Sequence, residues 1–534
     1  MTTAPAPHPA PTRNGARTLL HALVGAGVDV CFANPGTSEM YAVAALDDEP
    51  GMRGILCLFE GVATGAADGY GRMTGRPACT LLHTGPGLAN GLANLHNARR
   101  ARTPLVNVVG DHARFHKPYD SPLESDIEGF ADPVSGWVRR VRDARALAAE
   151  TAEAVARARD GQVTTLIVPA DLTWESAAPT AAYAAEEPAG GTAVLAGAEA
   201  AARALGSGEP AAILLGGAAT RARGLRAAAR IAAATGARLL CESFPARLER
   251  GGGLPVAERL AYLPESADAQ LAGVRHLVLA GAASPVTFFG YPGRSSDLVP
   301  EGCEVHPLDG PTVQALEALA DALAPHIPVP VPPAPARPVP PAPARPTLPT
   351  GPLTAATAGA AIGALLPEAA IVVDEANTSG LHLHAATAGA PRHDWLTLTG
   401  GAIGQGLPVA TGAAVACPDR PVVCLEADGS AMYTLQALWT QAREQLNVTT
   451  VVFDNAAYAI LGLELRKAAP DAATPRAGAL LDLSSPRLDF VALAEGMGVP
   501  AARATTAEEF TALLRRALTE PGPFLIDCVV PSAV

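Results

Sequence analysis

Short runs of apolar residues alternate with longer Ala-rich segments along most of the chain. Residues 212–215 (AILL) are followed by Gly216 and Gly217, then by a helical pattern over 225–234 and a second apolar run at 237–240. Short apolar runs bounded by turn residues are typical of strands buried on both faces of a parallel sheet. Because this alternation recurs in every third of the chain, we predict an α/β fold with three doubly wound parallel-sheet domains.

Proline-rich and polar segments divide this pattern into three units. The sequence VPPAPARP at 331–338 is repeated letter for letter at 339–346, which predicts a polyproline-II tether. A proline motif that binds a partner domain is the alternative interpretation. A softer boundary lies at 175–191. We predict a disordered tail at 1–13, domains at 14–175, 192–325 and 352–534, and a Pro-rich linker at 326–351.

Composition narrows the choice of partners. The 534 residues carry a formal net charge of −13, which argues against nucleic acid or an anionic membrane as a partner. The chain contains no run of 18 apolar residues, and its eight cysteines are scattered without metal-ligand spacing. We therefore expect a cytoplasmic protein with reduced cysteines and large aliphatic cores.

Two polar clusters follow apolar runs in the C-terminal third. The cluster DGS at 428–430 comes after the run VVCL, and DN at 454–455 comes after VVF. Open α/β sheets bind ligands at the carboxyl ends of their strands. A carboxylate from Asp428, a carboxamide from Asn455 and nearby carbonyls suit Mg²⁺, which takes phosphate oxygens as its other ligands. An ordinary βα turn with a capping Ser is the alternative.

This segment resembles the thiamine-diphosphate signature, in which GDG is separated by a fixed interval from NN. It is most similar to the signature of acetolactate synthase and benzoylformate decarboxylase, although Ala427 replaces the first Gly and Asp454 the first Asn. The resemblance implies that the cofactors are thiamine diphosphate and Mg²⁺. It also implies that the three predicted domains are, in chain order, the pyrimidine-binding, central and diphosphate-binding domains of this family. It also implies that Mg²⁺ is bound by the side chains of Asp428 and Asn455 and by the carbonyl of Ala457.

A candidate acid ends an apolar run in the N-terminal domain. Glu60 follows ILCLF and begins a helix of small residues that, with GYGR at 69–72, resembles the catalytic-glutamate helix of this family. Loss of the cofactor's C2 proton is helped when a buried carboxylic acid shares a proton with the aminopyrimidine ring. A surface Glu that caps a helix is the alternative. We predict that Glu60 is this acid, and the resemblance implies that it meets Asp428 of another subunit across a dimer.

Further candidates are implied by the same resemblance. Thr37 lies in a loop, NPGTSE, that resembles the border of the substrate cavity, and His83 stands where benzoylformate decarboxylase has an active-site histidine. We predict that His83 transfers a proton or contacts the substrate carboxylate, although a lone His after a strand is more often structural. Cofactor contacts are implied at Asn377, Thr378, Ser379, Ala402, Ile403, Gly429, Ser430 and Tyr458.

The resemblance implies a decarboxylating carboligase that acts on small 2-oxo acids, with pyruvate as the expected donor and a carbonyl compound as acceptor. A non-ligating decarboxylase of the benzoylformate decarboxylase type is one alternative, and a non-catalytic homologue that binds the cofactor is another. Retention of Glu60, Asp428 and Asn455 argues against the non-catalytic homologue. FAD is not expected, because no GxGxxG follows the apolar run at 212–215. By family, we expect a homodimer or homotetramer.

Overall fold

The computed structural model describes residues 14–177, 194–308, 310–324, 344–469 and 475–532. The chain divides into two compact units. The first comprises Met1–Glu186, Gly400–Ala502 and Glu520–Asp527, and the second comprises Glu187–Thr399, Arg503–Thr519 and Cys528–Val534. The predicted tail at 1–13 and the greater part of the predicted linker, 326–343, lie outside the described residues.

The N-terminal sheet lies in the first unit and has six parallel strands in the order β2-β1-β3-β4-β6-β5. The strands are β1 (Val30–Asn34), β2 (Arg53–Leu56), β3 (Ala78–His83), β4 (Leu105–Asp111), β5 (Trp137–Arg140) and β6 (Val163–Pro169). The helices are α1 (Gly15–Gly25), α2 (Met40–Ala45), α3 (Glu60–Thr74), α4 (Thr84–Ala101), α5 (Ile127–Ala131), α6 (Leu147–Arg159) and α7 (Ala170–Trp174). Leu19 and Leu23 of α1 share one buried core with Val106 and Leu166 of the central strands.

A second parallel sheet lies in the second unit, in the order β10-β8-β7-β11-β12. This part of the chain contains β7 (Ala211–Leu215), β8 (Arg238–Cys241), β9 (Leu248–Arg250), β10 (Glu258–Arg259), β11 (His276–Ala280) and β12 (Glu304–Leu308). Its helices are α8 (Val194–Leu205), α9 (Ala222–Thr235), α10 (Pro264–Leu271) and α11 (Thr312–Leu323). The apolar run at 212–215 and the helical pattern at 225–234 are therefore β7 and α9, as predicted.

The C-terminal third adds strands β13 (Ile371–Glu375), β14 (His393–Thr397), β15 (Val422–Ala427), β16 (Val448–Asp454), β17 (Ala501–Ala504) and β18 (Phe524–Val529). In the first unit β15 pairs in parallel with β16; in the second, β13 pairs in parallel with β14, and β14 antiparallel with β9. The helices are α12 (Ala355–Leu365), α13 (Leu383–Ala386), α14 (Gly406–Ala416), α15 (Asp428–Ala431), α16 (Ala437–Arg443), α17 (Ala459–Ala468), α18 (Pro475–Gly478), α19 (Phe490–Gly496) and α20 (Ala507–Thr519).

Three parallel-sheet α/β domains confirm the predicted fold class. The exact domain boundaries stay predictions, and β9 shows why they are hard to draw from sequence. This strand belongs to the middle third of the chain, yet it pairs with β14 of the C-terminal third. Among the described helices, none has the length and apolar character needed to cross a membrane.

Candidate functional site

Glu60 is the first residue of α3, immediately after the loop that follows β2. Its side chain is buried, and Asn90 Nδ2 donates a hydrogen bond to Oε2 at 3.0 Å. Gly87 leaves room for the other oxygen, because a Cβ atom there would stand 3.0 Å from Oε1. The carboxyl group is thus oriented by a neutral amide from α4, in a position to hold or pass a proton.

Helix α3 is held by close packing against α14 in the same unit. Every residue of α3 from Glu60 to Met73 is buried. A Cβ atom at Gly69 would overlap the carbonyl oxygen of Val409, and one at Gly412 would overlap that of Ala66. Small residues therefore let the two backbones approach closely, which fixes the helix that begins at Glu60.

His83 ends β3, and its ring is held by a polar network from the loop after β1. Its Nδ1 lies 2.9 Å from Oε2 of Glu39 and 3.0 Å from Oγ of Ser38. Glu39 is buried, accepts a bond from the N–H of Gly36 at 2.7 Å, and also accepts one from Ser38 Oγ. With Nδ1–H donated to the carboxylate, Nε2 is the nitrogen that is left to exchange a proton with a ligand.

The predicted loop residue Thr37 begins the 3-10 turn Thr37–Glu39 and is exposed. Its neighbours Ser38 and Glu39, rather than Thr37, hydrogen-bond to His83. A catalytic role for Thr37 stays a prediction. Gly36 is needed for this arrangement, because a Cβ atom there would overlap the His83 ring.

The Gly-rich segment before α14 is bound by amide side chains of α4 in the same unit. Asn97 Nδ2 donates to the carbonyl of Ala402 at 2.8 Å, and Asn97 Oδ1 accepts from the N–H of Ala402 at 3.2 Å. Asn94 Nδ2 donates both to Gly61 O at 2.8 Å and to Gly404 O at 3.2 Å. Asn94 therefore links the start of α3 to the segment that carries the predicted cofactor contacts Ala402 and Ile403. Ile403 itself is only partly buried.

Asp428 and Asn455 follow the paired strands β15 and β16, as predicted. The two are adjacent in space, because Asp428 Oδ2 accepts the N–H of Asn455 at 3.1 Å. Asp428 Oδ1 accepts the N–H of Gly429 at 2.8 Å, and Asn455 Oδ1 accepts the N–H of Ala457 at 3.0 Å. The three predicted metal ligands, Asp428, Asn455 and Ala457, are thus brought together at one sheet edge.

This donor set suits a cation. Burial raises the pKa of Asp428 to about 6, and the Asp454 carboxylate adds to the rise against the opposing effect of backbone N–H groups. A bound cation would favour the charged carboxylate. Carboxylate, amide and carbonyl oxygens are also the ligands that Mg²⁺ prefers. The residues present therefore fit Mg²⁺, with the phosphates of thiamine diphosphate as its further ligands.

The departure from the signature at Asp454 has a structural explanation. Asp454 is buried, and both Nε and Nη2 of Arg487 lie 2.9 Å from its Oδ2. Its Oδ1 accepts the N–H of Ala456, so the carboxylate fixes the loop that carries Asn455. Asp454 thus anchors the loop through its own ion pair.

Two other predicted cofactor contacts, Gly429 and Tyr458, pack against each other beside this loop. Gly429 and Ser430 are buried in α15. A Cβ atom at Gly429 would overlap the ring of Tyr458, whose N–H donates to Leu481 O at 2.9 Å. Only Gly at 429 leaves room for Tyr458 in this position. In the second unit, Asn377, Thr378 and Ser379 form the start of a 3-10 turn after β13, and Ser379 is buried.

Sequence reasoning missed Glu39 and the three asparagines of α4. The asparagines had a recognisable signal, because Asn90, Asn94 and Asn97 are spaced by four and three residues and so share one helix face. Amides repeated along one face of a helix indicate specific polar partners on that face. Glu39 had no such signal, since its partner His83 lies 44 residues away.

Two family models match the chain. The thiamine pyrophosphate enzyme N-terminal TPP binding domain matches residues 13–127, and the corresponding C-terminal TPP binding domain matches residues 378–528. The chain is 62% identical over 525 residues to "Putative acetolactate synthase large subunit IlvX" of Mycobacterium tuberculosis, covering 98% of this chain and 100% of that protein.

More distant relatives are named as decarboxylases. The chain is 29% identical over 550 residues to benzoylformate decarboxylase of Pseudomonas aeruginosa, covering 94% of this chain and 96% of that protein. A solved thiamine diphosphate-dependent 4-hydroxybenzoylformate decarboxylase of Rhodococcus jostii RHA1 superposes with a TM-score of 0.83 at 25% identity, covering 97% of this chain and 99% of that one. The chain therefore belongs to the thiamine pyrophosphate enzymes, within the group that includes acetolactate synthase and benzoylformate decarboxylase.

Proposed function

We propose that this enzyme decarboxylates a small 2-oxo acid, with pyruvate as donor, and ligates the remaining two-carbon unit to a second carbonyl compound. The observation that carries the decarboxylation is the buried Glu60 carboxyl group, which is oriented by Asn90 and has no Lys or Arg among its hydrogen-bond partners in the described part of the chain. A carboxyl group held by a neutral amide is placed to share a proton with a ring nitrogen of the cofactor.

Each part of the chain has a defined task in this proposal. Thiamine diphosphate, when bound, would supply a nucleophilic ring carbon for the 2-oxo group and a cationic ring able to take up the electron pair released with CO₂. Glu60 holds the proton at Oε1 or Oε2 that activates this carbon, and Asn90 keeps the carboxyl group oriented. Asp428, Asn455 and Ala457 hold Mg²⁺. Asn97 holds the backbone at Ala402 and so positions Ile403 as an apolar support beneath the cofactor.

Ligation is supported by the 62% identity, over nearly the whole chain, to a protein named as an acetolactate synthase large subunit. A second candidate is a non-ligating decarboxylase that releases an aldehyde. It is favoured by the bond between His83 and the buried Glu39, because such a pair can deliver a proton in competition with the carbonyl acceptor. The two functions differ in what reacts after CO₂ leaves. In ligation the new bond forms to a carbonyl carbon, and in simple decarboxylation it forms to a proton.

The catalytic part is tested with Glu60→Gln, which keeps the shape of the side chain but cannot carry the proton. We expect CO₂ release from pyruvate to fall about 100-fold or more, within the range of general acid–base catalysis. Glu508→Gln is the matched control, because Glu508 also lies in the first turn of a helix but is exposed. Wild-type turnover in Glu60→Gln would contradict the assigned role.

The acceptor is tested by product analysis with the magnesium holoenzyme. Pyruvate alone should give acetolactate, and pyruvate with an added aldehyde should give an acyloin. Acetaldehyde as the dominant product would support the second candidate. Absence of CO₂ from pyruvate, benzoylformate and other 2-oxo acids would contradict both functions and leave a non-catalytic homologue.

Assembly and location belong to the same proposal. We infer a homodimer or homotetramer, in which Glu60 and Asp428 of different subunits face one cofactor, and light scattering of the holoenzyme measures this directly. We place the enzyme in the cytoplasm because all eight of its cysteines are free and six of them are buried.

A further inference from the structure

A cluster of two histidines and a carboxylate lies on the second sheet, at the amino ends of its strands. Strands β11 and β12 pair in parallel, with His276 opposite Glu304 and Val278 opposite His306. Residues 304 and 306 point to the same face because side chains alternate along a strand. Glu209 lies two residues before β7, whose first residue, Ala211, pairs with His276.

The ligating atoms of this cluster converge. His276 Nδ1 is 3.2 Å from His306 Nε2, and the Glu304 carboxylate lies 3.7 Å from the former and 3.9 Å from the latter. All three ligating atoms lie within 4.8 Å of one another. The side chains of His276 and His306 are 10% and 14% exposed, whereas that of Glu304 is 72% exposed. Solvent therefore reaches the cluster from the carboxylate side.

The separations match a tetrahedral ion. With metal–nitrogen bonds of about 2.05 Å, two imidazole nitrogens on a tetrahedral zinc are about 3.3 Å apart. The observed separation of 3.2 Å between His276 and His306 meets this value without movement. The Glu304 oxygen is farther by a few tenths of an ångström than a bound oxygen would be, and its exposed side chain is free to rotate inward.

Glu209 contacts the ring nitrogen of His276 that faces away from His306. Its Oε2 lies 3.0 Å from His276 Nε2, so this nitrogen donates its proton to the carboxylate and Nδ1 keeps its lone pair toward His306. A carboxylate that accepts the far N–H of a ligating histidine is the usual outer support of a metal site. The same contacts also permit a simple hydrogen bond from His306 to His276, which is the state that an ion would replace.

We propose that His276, His306 and Glu304 bind a divalent transition-metal ion of the zinc class, with water as fourth ligand and Glu209 orienting His276. Imidazole nitrogens with one carboxylate select such an ion over Mg²⁺, which prefers an all-oxygen set. This site shares no residue with the predicted magnesium ligands, and it tethers strand β12 to β11.

The test uses full-length, tag-free holoenzyme saturated with thiamine diphosphate and Mg²⁺, so that the magnesium ligands are occupied. Zinc binding is measured by equilibrium dialysis and by the shift of the thermal midpoint with added Zn²⁺. We expect one zinc ion per chain at micromolar free zinc. His306→Gln should abolish this binding, and Glu209→Gln should weaken it about 10- to 100-fold.

His21→Gln is the matched control, because His21 also contacts a glutamate, Glu49, but lies in the N-terminal domain. It should bind zinc as the wild type does. Zinc bound equally by His306→Gln and wild type would overturn the proposal. Absence of stoichiometric zinc binding to correctly folded wild-type holoenzyme would also overturn it and would leave the histidine pair as a hydrogen bond. Circular dichroism of each variant separates loss of zinc from loss of fold.

Discussion

Replacing Asn97 by Ala should weaken thiamine diphosphate binding without touching the cofactor directly. Asn97 is fully buried in α4 and bonds to both backbone groups of Ala402, at 2.8 Å and 3.2 Å. Ala402 precedes Ile403, the proposed apolar support of the cofactor. Without the amide, the segment loses its fixed conformation, and cofactor binding must then supply the free energy that orders it.

The size of the effect follows from the two bonds. Each intramolecular hydrogen bond contributes about 1 kcal/mol net, so their loss destabilises the binding-competent segment by about 2 kcal/mol. At 1.4 kcal/mol per factor of ten, half-saturation should require about 30-fold more thiamine diphosphate. If water replaces one of the two bonds, half-saturation should still require about 5-fold more thiamine diphosphate. Asn97→Asp keeps an acceptor for the N–H of Ala402 but sets a buried carboxylate oxygen against the carbonyl oxygen of Ala402, so it should bind the cofactor no better than Asn97→Ala.

The assay is titration of cofactor-free protein with thiamine diphosphate at saturating Mg²⁺, followed by tryptophan fluorescence and by recovered activity. Asn107→Ala is the matched control: Asn107 is equally buried, but its partners are Thr80 and Thr165 in the N-terminal sheet. Both variants should lower the thermal midpoint, and only Asn97→Ala should raise the cofactor requirement. An equal rise in both, or a rise in neither, would refute the reasoning.

Three further predictions concern packing, the metal loop and acid stability. Gly412→Ala should cost about 1–3 kcal/mol by overpacking against α3, measured as a lower thermal midpoint, whereas Gly25→Ala, with open space around it, should have little effect. Arg487→Ala leaves the buried Asp454 carboxylate unpaired and should cost about 1–3 kcal/mol after allowance for the half-exposed arginine, with a higher Mg²⁺ requirement in activity titrations. Burial lowers the pKa of His393 to about 4. Between about pH 6.5 and pH 4 this histidine therefore binds a proton in the unfolded chain but not in the folded chain. The free energy of unfolding should fall as the pH drops through this window. His393→Gln should make urea unfolding less pH-dependent in that window, by up to about 1.4 kcal/mol per pH unit.

Features at strand ends could be predicted from the sequence because they depend on local pattern. The apolar run before Glu60 and the small residues after it predict a strand end and a buried helix, and α3 begins at Glu60. Asp428 and Asn455 follow apolar runs in the same way, and parallel pairing of β15 with β16 brings them together. In both cases the alternation of buried strands and helices is enough to place the side chain at a sheet edge.

Contacts between distant segments could not be predicted in this way. The bond between Asn97 and Ala402 joins residues 305 positions apart, and only the packing of α3, α4 and α14 brings them within reach. The pairing of β9 with β14 likewise depends on tertiary structure, since a three-residue strand has no pattern of its own. The choice of Ser38 and Glu39 over Thr37 as partners of His83 follows from the 3-10 turn, which sets the direction of each side chain.

Helix α4 connects the parts of the candidate site that lie in the first unit. It begins directly after His83, its residue Asn90 orients Glu60, and Asn94 and Asn97 bind the Gly-rich segment. Asn94 and Asn97 are buried, and a buried amide left without a partner costs about 1–3 kcal/mol, so the helix can shift only if their bonds are broken or moved together. Helix α4 therefore fixes the positions of Glu60, His83 and the segment that carries Ile403 relative to one another. A change in α4 that alters cofactor affinity should for that reason also alter the rate of the proton transfer assigned to Glu60.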